Sequence, residues 1–592
     1  MRIFYVGQDA EKRQALLKRK GDLILLGFDR WDDYDYKTSF PVQCRIEGED
    51  VHLGAIKILF SEEKVSYQFL DKLVAEGWDG EFPVPGIIYI SVPANTTFYE
   101  KIDGCLDSAS TFEVARLLND ASLKRWIDED PDSLVLIESD GFRYSLLRER
   151  GAQTAYHSVW KLLSAASINV GDLQFRFLDP LGGKQKLNLD FDSEGRLLPH
   201  DIHVLIGPNG VGKSQTLMQI VEHWLDLSIE SDEDVGFSDS PNINQVVVVS
   251  YSPFERFPID SENSVKQSGK RQDHDIYRYF GLRGWQSVFD EAGAGQKKIR
   301  LSQSRPKINA SRSLLACLVD DKTFGVIKDW SAKVKTMERV LNTAIDFDYA
   351  AVAVDSDVNL ATLFQYGQLL FDDESNKNND FVIKLPEKES KENGSSLTLV
   401  PIAADRIDEL NSEVLATSML ASKGIYFIKN GKVVELSSGQ RLFSYVVINI
   451  LGAIRRNSLI LIDEPELFLH PTLEIAFISM LKDVLKSYRS KALLATHSLV
   501  TVRELPRSCV HVFEKEEGEL FVNHPPFETF GGDIQRISSY VFGDKSVSKP
   551  FEAWIRQQIQ EFGTAESLIE ALGDDINEEM IIQISAMGAG KW

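Results

Sequence analysis

The chain has 592 residues, 43% hydrophobic and 26% charged, a globular composition with length for two to four domains and no case for disorder as the default. Its formal charge of −24 excludes a protein that coats nucleic acid with its whole surface, because phosphate binding needs clustered Lys and Arg. Cys44, Cys105, Cys317 and Cys509 form no C-x-x-C pair that would point to zinc or redox chemistry, and read as thiols of a reducing compartment.

Met1 to Asp9 hold no apolar segment long enough for a signal peptide, so the expected location is the cytoplasm. Residues 1–165 mix short apolar runs read as strands, Leu23–Leu26, Ile87–Ile90 and Leu134–Ile137, with amphipathic helical patches, and carry no catalytic motif. From Ile168 the texture changes to alternation: Leu173, Phe175 and Phe177, then Leu187, Leu189 and Phe191, two half-buried antiparallel strands. The apolar Val204-Leu205-Ile206 then runs into Gly207-Pro208-Asn209-Gly210-Val211-Gly212-Lys213-Ser214. In this G-x-x-x-x-G-K-[ST] loop the glycines let consecutive N–H groups curl around one anion, and the following helix adds its positive end, so that Gly207–Ser214 and Gln215 are the candidate nucleotide-binding residues. Lys213 suits the β- and γ-phosphates and Ser214 suits Mg²⁺, so ATP and Mg²⁺ are the expected ligands.

Gln245 to Ser250 is a continuous β-branched run that suits a buried parallel sheet. A long insertion follows, up to Leu436, without internal repeat or sustained heptads; within it Phe371–Asp380 and Pro386–Ser396 read as mobile surface loops. Basic residues cluster between Lys266 and Arg312, with Tyr277, Tyr279 and Trp285 among them. That pattern fits a nucleic-acid groove with stacking platforms, or a solvated insertion paired with acidic neighbours. The longest apolar stretch, Leu442 to Ile454, falls well short of a bilayer span and reads as a buried helix, so no membrane partner is expected.

Leu459-Ile460-Leu461-Ile462-Asp463-Glu464 is an apolar strand ending in two acids. At the carboxyl edge of a parallel sheet such acids line the ligand crevice, with Asp463 placed to hold Mg²⁺ through water and Glu464 to polarise an attacking water. Leu436-Ser437-Ser438-Gly439-Gln440 opens a helix; alone it is a capped helix start, and its small residues also suit an anion. Ala492 to Ser498 is one more buried strand, ending at His497, which can donate to a γ-phosphate oxygen or simply be a satisfied histidine.

In this order the pieces resemble the ATP-binding cassette ATPases: Walker A at Gly207–Ser214, a signature at Leu436–Gln440 with Ser438 in place of a glycine, Walker B at Leu459–Asp463, the catalytic Glu464 and the switch His497. Asp463-Glu464-Pro465-Glu466-Leu467-Phe468-Leu469-His470-Pro471 looks like the soluble RecF-, SMC- and OLD-like branch. The resemblance implies an α/β fold, an ABC-type P-loop NTPase core of mixed sheet flanked by helices, with an inserted helical lobe and an α+β N-terminal domain. The corresponding bounds are 1–165 for that domain, 166–258 and 433–530 for the two parts of the ATPase lobe, 259–432 for the insertion and 531–592 for a helical C-terminal segment. It further implies a head-to-tail homodimer or higher oligomer, in which Ser437, Ser438, Gly439 and Gln440 of one copy close over ATP held by the other. Where a Q-loop glutamine belongs, the chain has Ser250-Tyr251-Ser252-Pro253-Phe254-Glu255, making Ser252 and Glu255 the candidates for its role. That turn, with Tyr277 to Gly284, is similar to antiphage-defence ATPases such as the PtuA component of Septu systems, which implies a separately encoded effector such as a nuclease. A RecF-like ATPase of DNA repair or chromosome maintenance is the alternative.

Overall fold

The computed structural model describes residues 1–592 except 31–32, 34, 62, 164–169, 192–195, 226, 228–233, 240, 260–276, 290–294, 325–331, 366–381, 387–395, 517, 543–549 and 590–592. The described chain forms two compact units, Met1–Gly531 and Gly532–Trp592. The 371–380 stretch, most of 386–396 and the Lys266, Lys270 and Arg271 part of the basic cluster lie outside the described residues.

The amino-terminal region is built on a six-stranded sheet in which Arg2–Gly7 pairs in parallel with Leu23–Gly27 across the helix Ala10–Leu17, and the remaining strands run antiparallel. The run at 134–137 is not a strand. It belongs to the helix Pro131–Ile137, with Pro131 in its first turn and Asp130 at its N-cap; an uninterrupted apolar tetrad has no period of its own, and the Asp-Pro start decides for helix. Of the Ile87–Ile90 run only the last two residues enter a strand, Tyr89–Pro93.

The alternating segments form the hairpin Leu173–Leu178 and Lys184–Leu189, with Leu173 facing Leu189 and Phe175 facing Leu187. Phe175, Phe177, Leu187 and Leu189 join one buried core with the loop-bearing strand. That core lies on a seven-stranded sheet in the order Tyr277–Gly281, Gln245–Ser250, Ser458–Asp463, Lys491–Thr496, Ile202–Ile206, Val510–Glu516, Glu519–Asn523. The first six strands are parallel and only the last is antiparallel. The sheet is therefore mixed. Gln245–Ser250, Ser458–Asp463 and Lys491–Thr496 are buried at every position, as strands covered on both faces must be.

The insertion supplies the edge strand Tyr277–Gly281 and the helices Arg305–Phe324 and Lys333–Leu341. It also supplies most of a five-stranded antiparallel sheet centred on Tyr349–Val354, which the sequence reading did not separate from the helical lobe. The apolar 442–454 stretch lies in the helix Ser438–Ala453 up to its C-cap Ile454, and is buried without interruption from Phe443 to Ala453. Its internal Asn449 is satisfied, accepting from Ser313 Oγ at 2.8 Å and donating to Tyr251 Oη at 3.0 Å, as a buried amide requires.

The turn after this helix is held from two sides. Lys333, fully buried, donates to Asp320 at 2.8 Å and to the Ile454 carbonyl at 2.9 Å, while Arg455 reaches the same Asp320 oxygen at 2.7 Å. On the other side Asn244 donates to the Arg456 carbonyl at 3.1 Å and to Thr96 Oγ1, a residue of the amino-terminal region, at 2.5 Å. The second unit, Gly532–Trp592, is helical, with Ile555, Ala565, Leu568 and Ile584 at its centre.

The sheet also buries a stacked pair of imidazoles, His203 and His511, with the exposed His524 beside them. His203 Nδ1 lies 2.9 Å from His511 Nε2 on the neighbouring strand, and the His511 ring lies 4.7 Å from that of His524. Burial pushes His203 down to about 3 and His511 well below its ordinary value. A ring whose folded value lies below the unfolded value of about 6.5 loses stability as acid is added, because the unfolded chain binds the proton that the folded chain refuses. From pH 7 to pH 5 the loss should reach about 2 kcal/mol per ring. Denaturant midpoints at the two pH values should therefore differ more for the wild type than for His203→Gln/His511→Gln; equal differences would show that these rings do not drive the acid sensitivity.

Candidate active site

Because six strands run the same way, their carboxyl ends share one edge of the sheet. The register places Ser250 beside Asp463, Asp463 beside Ala495, and Thr496 beside Ile206. The glycine loop, the two acids and His497 thus meet at one edge although up to 290 residues separate them, because Lys491–Thr496 lies between the loop-bearing and the acid-bearing strands.

Gly207 has room for no side chain, since a Cβ there would come within 2.4 Å of the Phe513 carbonyl oxygen. Gly212 sits at φ 99°, where a Cβ would press to 2.9 Å on Pro180 of the hairpin turn. Pro208, Asn209 and Gly210 form the exposed rim of the loop, Val211 is buried beneath it, and the helix Lys213–Trp224 begins directly behind, with Gln215 in its first turn.

Lys213 is buried and donates to the Gly207 and Pro208 carbonyls, both at 2.9 Å. Its Nζ also lies 3.0 Å from His497 Nε2. Burial lowers the ammonium to about 8, against the raising pull of Glu464, Glu466 and Asp463. His497 is lowered to about 4, by burial and then by the Lys213 charge. At neutral pH the imidazole is therefore uncharged and Nε2 accepts from Lys213, which puts the ring proton on Nδ1.

Ser214 Oγ donates to Asp463 Oδ1 at 2.7 Å, and Ser250 Oγ, fully buried, lies 3.4 Å from Oδ2. Burial raises Asp463 to about 6, with the Ser214 bond opposing and Glu464 reinforcing the rise. A hydroxyl and a carboxylate brought to one point suit Mg²⁺, a hard cation that takes one or two protein oxygens and completes its shell with phosphate and water. Among the described residues no group of three His, Cys, Asp or Glu side chains could hold a metal by itself.

Glu464 stands in the left-handed region, at φ 51° and ψ 54°, and its N–H bonds the Ala495 carbonyl at 2.9 Å. A non-glycine residue held there turns the chain sharply at a cost of order 1 kcal/mol or more. The turn brings Glu466 back onto the neighbouring strand end, where its Oε2 accepts from Thr496 Oγ1 at 2.8 Å and its Oε1 from the His497 N–H. Ser498 Oγ donates to Glu474 Oε2. Ser250, Glu466 and Glu474 were not singled out from sequence. The first two had a visible signal, the end of a buried strand and a second acid in the same turn, whereas Glu474 had none.

The signature segment sits elsewhere. Ser437 caps the helix by a reciprocal box with Gln440, at 3.2 and 3.1 Å, and the Gln440 amide donates to the Ala344 carbonyl at 2.7 Å. Ser437 and Ser438 are exposed, Gly439 is half-buried, and no hydrogen bond among the described residues ties the segment to Gly207–Ser214. Of the two Q-loop candidates, Glu255 is committed to Arg283, with contacts of 2.5 and 2.7 Å, and to Tyr279 Oη; Ser252 is buried in the same turn.

A parallel sheet with a glycine loop, a buried lysine and a Ser-Asp pair at its carboxyl edge defines a P-loop ATPase. The family model described as "AAA domain, putative AbiEii toxin, Type IV TA system" matches residues 202–503, and the chain belongs to this family. The ordered motifs resemble those of the soluble RecF-, SMC- and OLD-like branch of ATPases. It is 21% identical over 593 residues to "Protein ea59" of Escherichia phage lambda, covering 98% of this chain and 95% of that protein. Among solved structures it is similar to the SMC head domain from Thermotoga maritima, at 10% identity over 61% of this chain and 100% of that one, with a TM-score of 0.24. A second is Stu0660 of Streptococcus thermophilus, at 12% identity over 65% and 84% of the two chains, with a TM-score of 0.23. Among the described residues no helix is long and apolar enough to cross a membrane.

Proposed function

We propose that the protein hydrolyses ATP in composite sites formed by two copies of the chain, each giving Gly207–Gln215, Asp463, Glu464 and His497 to one nucleotide and Ser437–Gln440 to the other. The observation that carries this reading is the exposed signature start, which bonds nothing in its own loop while the remaining groups are assembled. In hydrolysis Glu464 orients a water whose oxygen bonds the γ-phosphorus as the bridging P–O bond breaks; the electron pair leaves on the ADP oxygen and the water proton passes through the carboxylate to phosphate. Mg²⁺ on Ser214 and Asp463 would neutralise charge on the phosphates. Lys213 adds a second cation, and His497 a contact to the γ-phosphate.

We further propose that ATP-driven closure controls a separately encoded effector, such as a nuclease, in a defence system of the cytoplasm, with residues 1–165 as its own domain. A family described by a toxin of a type IV TA system and a relative encoded by a phage support this setting.

Ser438→Arg tests the composite site. A bulky cation at the signature should block the facing copy's γ-phosphate, so the variant should bind ATP and fail to hydrolyse it. Mixed with Lys213→Ala, a head-to-tail pair contains one site with both lesions and one with neither. Activity should partly return on mixing. If it stays at zero while light scattering shows mixed dimers, a linked dimer with one lesion separates a wrong signature from two sites that fire only together.

A further inference from the structure

The strand Lys491–Thr496 ends one residue before His497, so the sheet ladder no longer fixes the chain where the imidazole departs. A carboxylate takes the ladder's place. Glu466 receives two donors from consecutive residues, Thr496 Oγ1 and the His497 N–H. Thr496 Oγ1 in turn accepts from the Ser498 N–H at 2.9 Å, and Ser498 Oγ, bonded to Glu474, accepts the Thr501 N–H at 3.2 Å and so caps the next short helix. Three successive residues, with His497 in the middle, are thereby pinned by two acids that follow Asp463 and Glu464 in the same segment. Hydrogen bonds to an ionised acceptor are about twice as strong as neutral ones, and outer groups of this kind set the place and direction of the side chain that does the chemistry.

We propose that Glu466 is a positioning residue for hydrolysis: it acts through His497 by fixing where the imidazole stands relative to Lys213 and the γ-phosphate. This rests on the ATPase reading given above. The left-handed turn at Glu464 has a purpose on this view, since it returns Glu466 to the histidine. A glutamine at 466 would present one accepting oxygen where two donors converge, keeping the His497 bond and forcing Thr496 to turn its proton away. An alanine would keep neither.

The test compares turnover, KM and ATP affinity for Glu466→Ala, Glu466→Gln, His497→Ala and Glu466→Ala/His497→Ala, with melting temperatures for all four. Glu466→Ala should lower kcat by roughly 10- to 100-fold with ATP affinity nearly unchanged, and Glu466→Gln should fall between it and the wild type. The double variant should be no slower than His497→Ala, because a group that acts only through the histidine has nothing left to lose. Multiplying single effects, or an alanine variant that loses affinity and melting temperature with kcat intact, would overturn the assignment. If Glu466→Ala does not fold, the glutamine variant carries the same comparison. Wild-type protein without turnover, or His497→Ala at the wild-type rate, would remove the ATPase reading of His497 and this inference with it. A slow His497→Ala beside a fast Glu466→Ala would remove the inference alone.

Discussion

Lys213→Ala should abolish measurable ATP binding. The ammonium is the one cation on the loop itself, buried behind exposed Pro208 and Asn209 and held by two loop carbonyls and His497. Its removal deletes charge-assisted bonds to the β- and γ-phosphates worth about 3 kcal/mol or more together, a loss of roughly 10²-fold or greater in affinity. It also leaves the Gly207 and Pro208 carbonyls without that donor in the place where a polyanion must dock. Equilibrium titration with a fluorescent ATP analogue checks this directly. Unchanged affinity would take Gly207–Ser214 out of the site.

Glu464→Gln should leave ATP binding nearly intact and cut turnover by roughly 10² or more. The substitution preserves volume and the left-handed turn, and spares Lys213, the cation for the phosphates, and Ser214 and Asp463, the pair proposed to hold Mg²⁺. What it removes is the carboxylate proposed to accept a proton from water. Bound ATP should then accumulate in a closed dimer, visible as a shift in hydrodynamic size on adding nucleotide. Single-turnover hydrolysis at the wild-type rate would pass the role to Asp463 or to a group outside this turn.

How far these groups could be read from the sequence follows from how local their signals are. The loop at Gly207–Ser214 and the acids at Asp463 and Glu464 each end a continuous apolar run, so a strand's carboxyl end could be located without knowing its neighbours. The half-buried hairpin was legible for the same reason, as Phe175 and Phe177 alternate with polar residues. Leu134–Ile137 misled because four apolar residues fit a helix face as well as a strand, and the Asp130-Pro131 start carried the decisive information. The bonds of Glu466 depend on strand order, with Lys491–Thr496 placed beside Ser458–Asp463, and no periodicity within either segment encodes adjacency. The stack of His203 on His511 joins residues 308 positions apart and is of the same kind.

The helix Ser438–Ala453 begins at the exposed signature and ends at the turn clamped by Lys333, Asp320 and Arg455. Sixteen residues make a rod of about 24 Å, buried without interruption from Phe443 to Ala453. With its far end anchored, a tug on Ser438 becomes torque about Ile454. The same turn, at the Arg456 carbonyl, also receives Asn244, which reaches Thr96 of the amino-terminal region. Thr96 of the amino-terminal region is thus tied to the turn that ends the signature helix, at the amino ends of the strands Gln245–Ser250 and Ser458–Asp463 and so on the edge of the sheet opposite Gly207–Ser214.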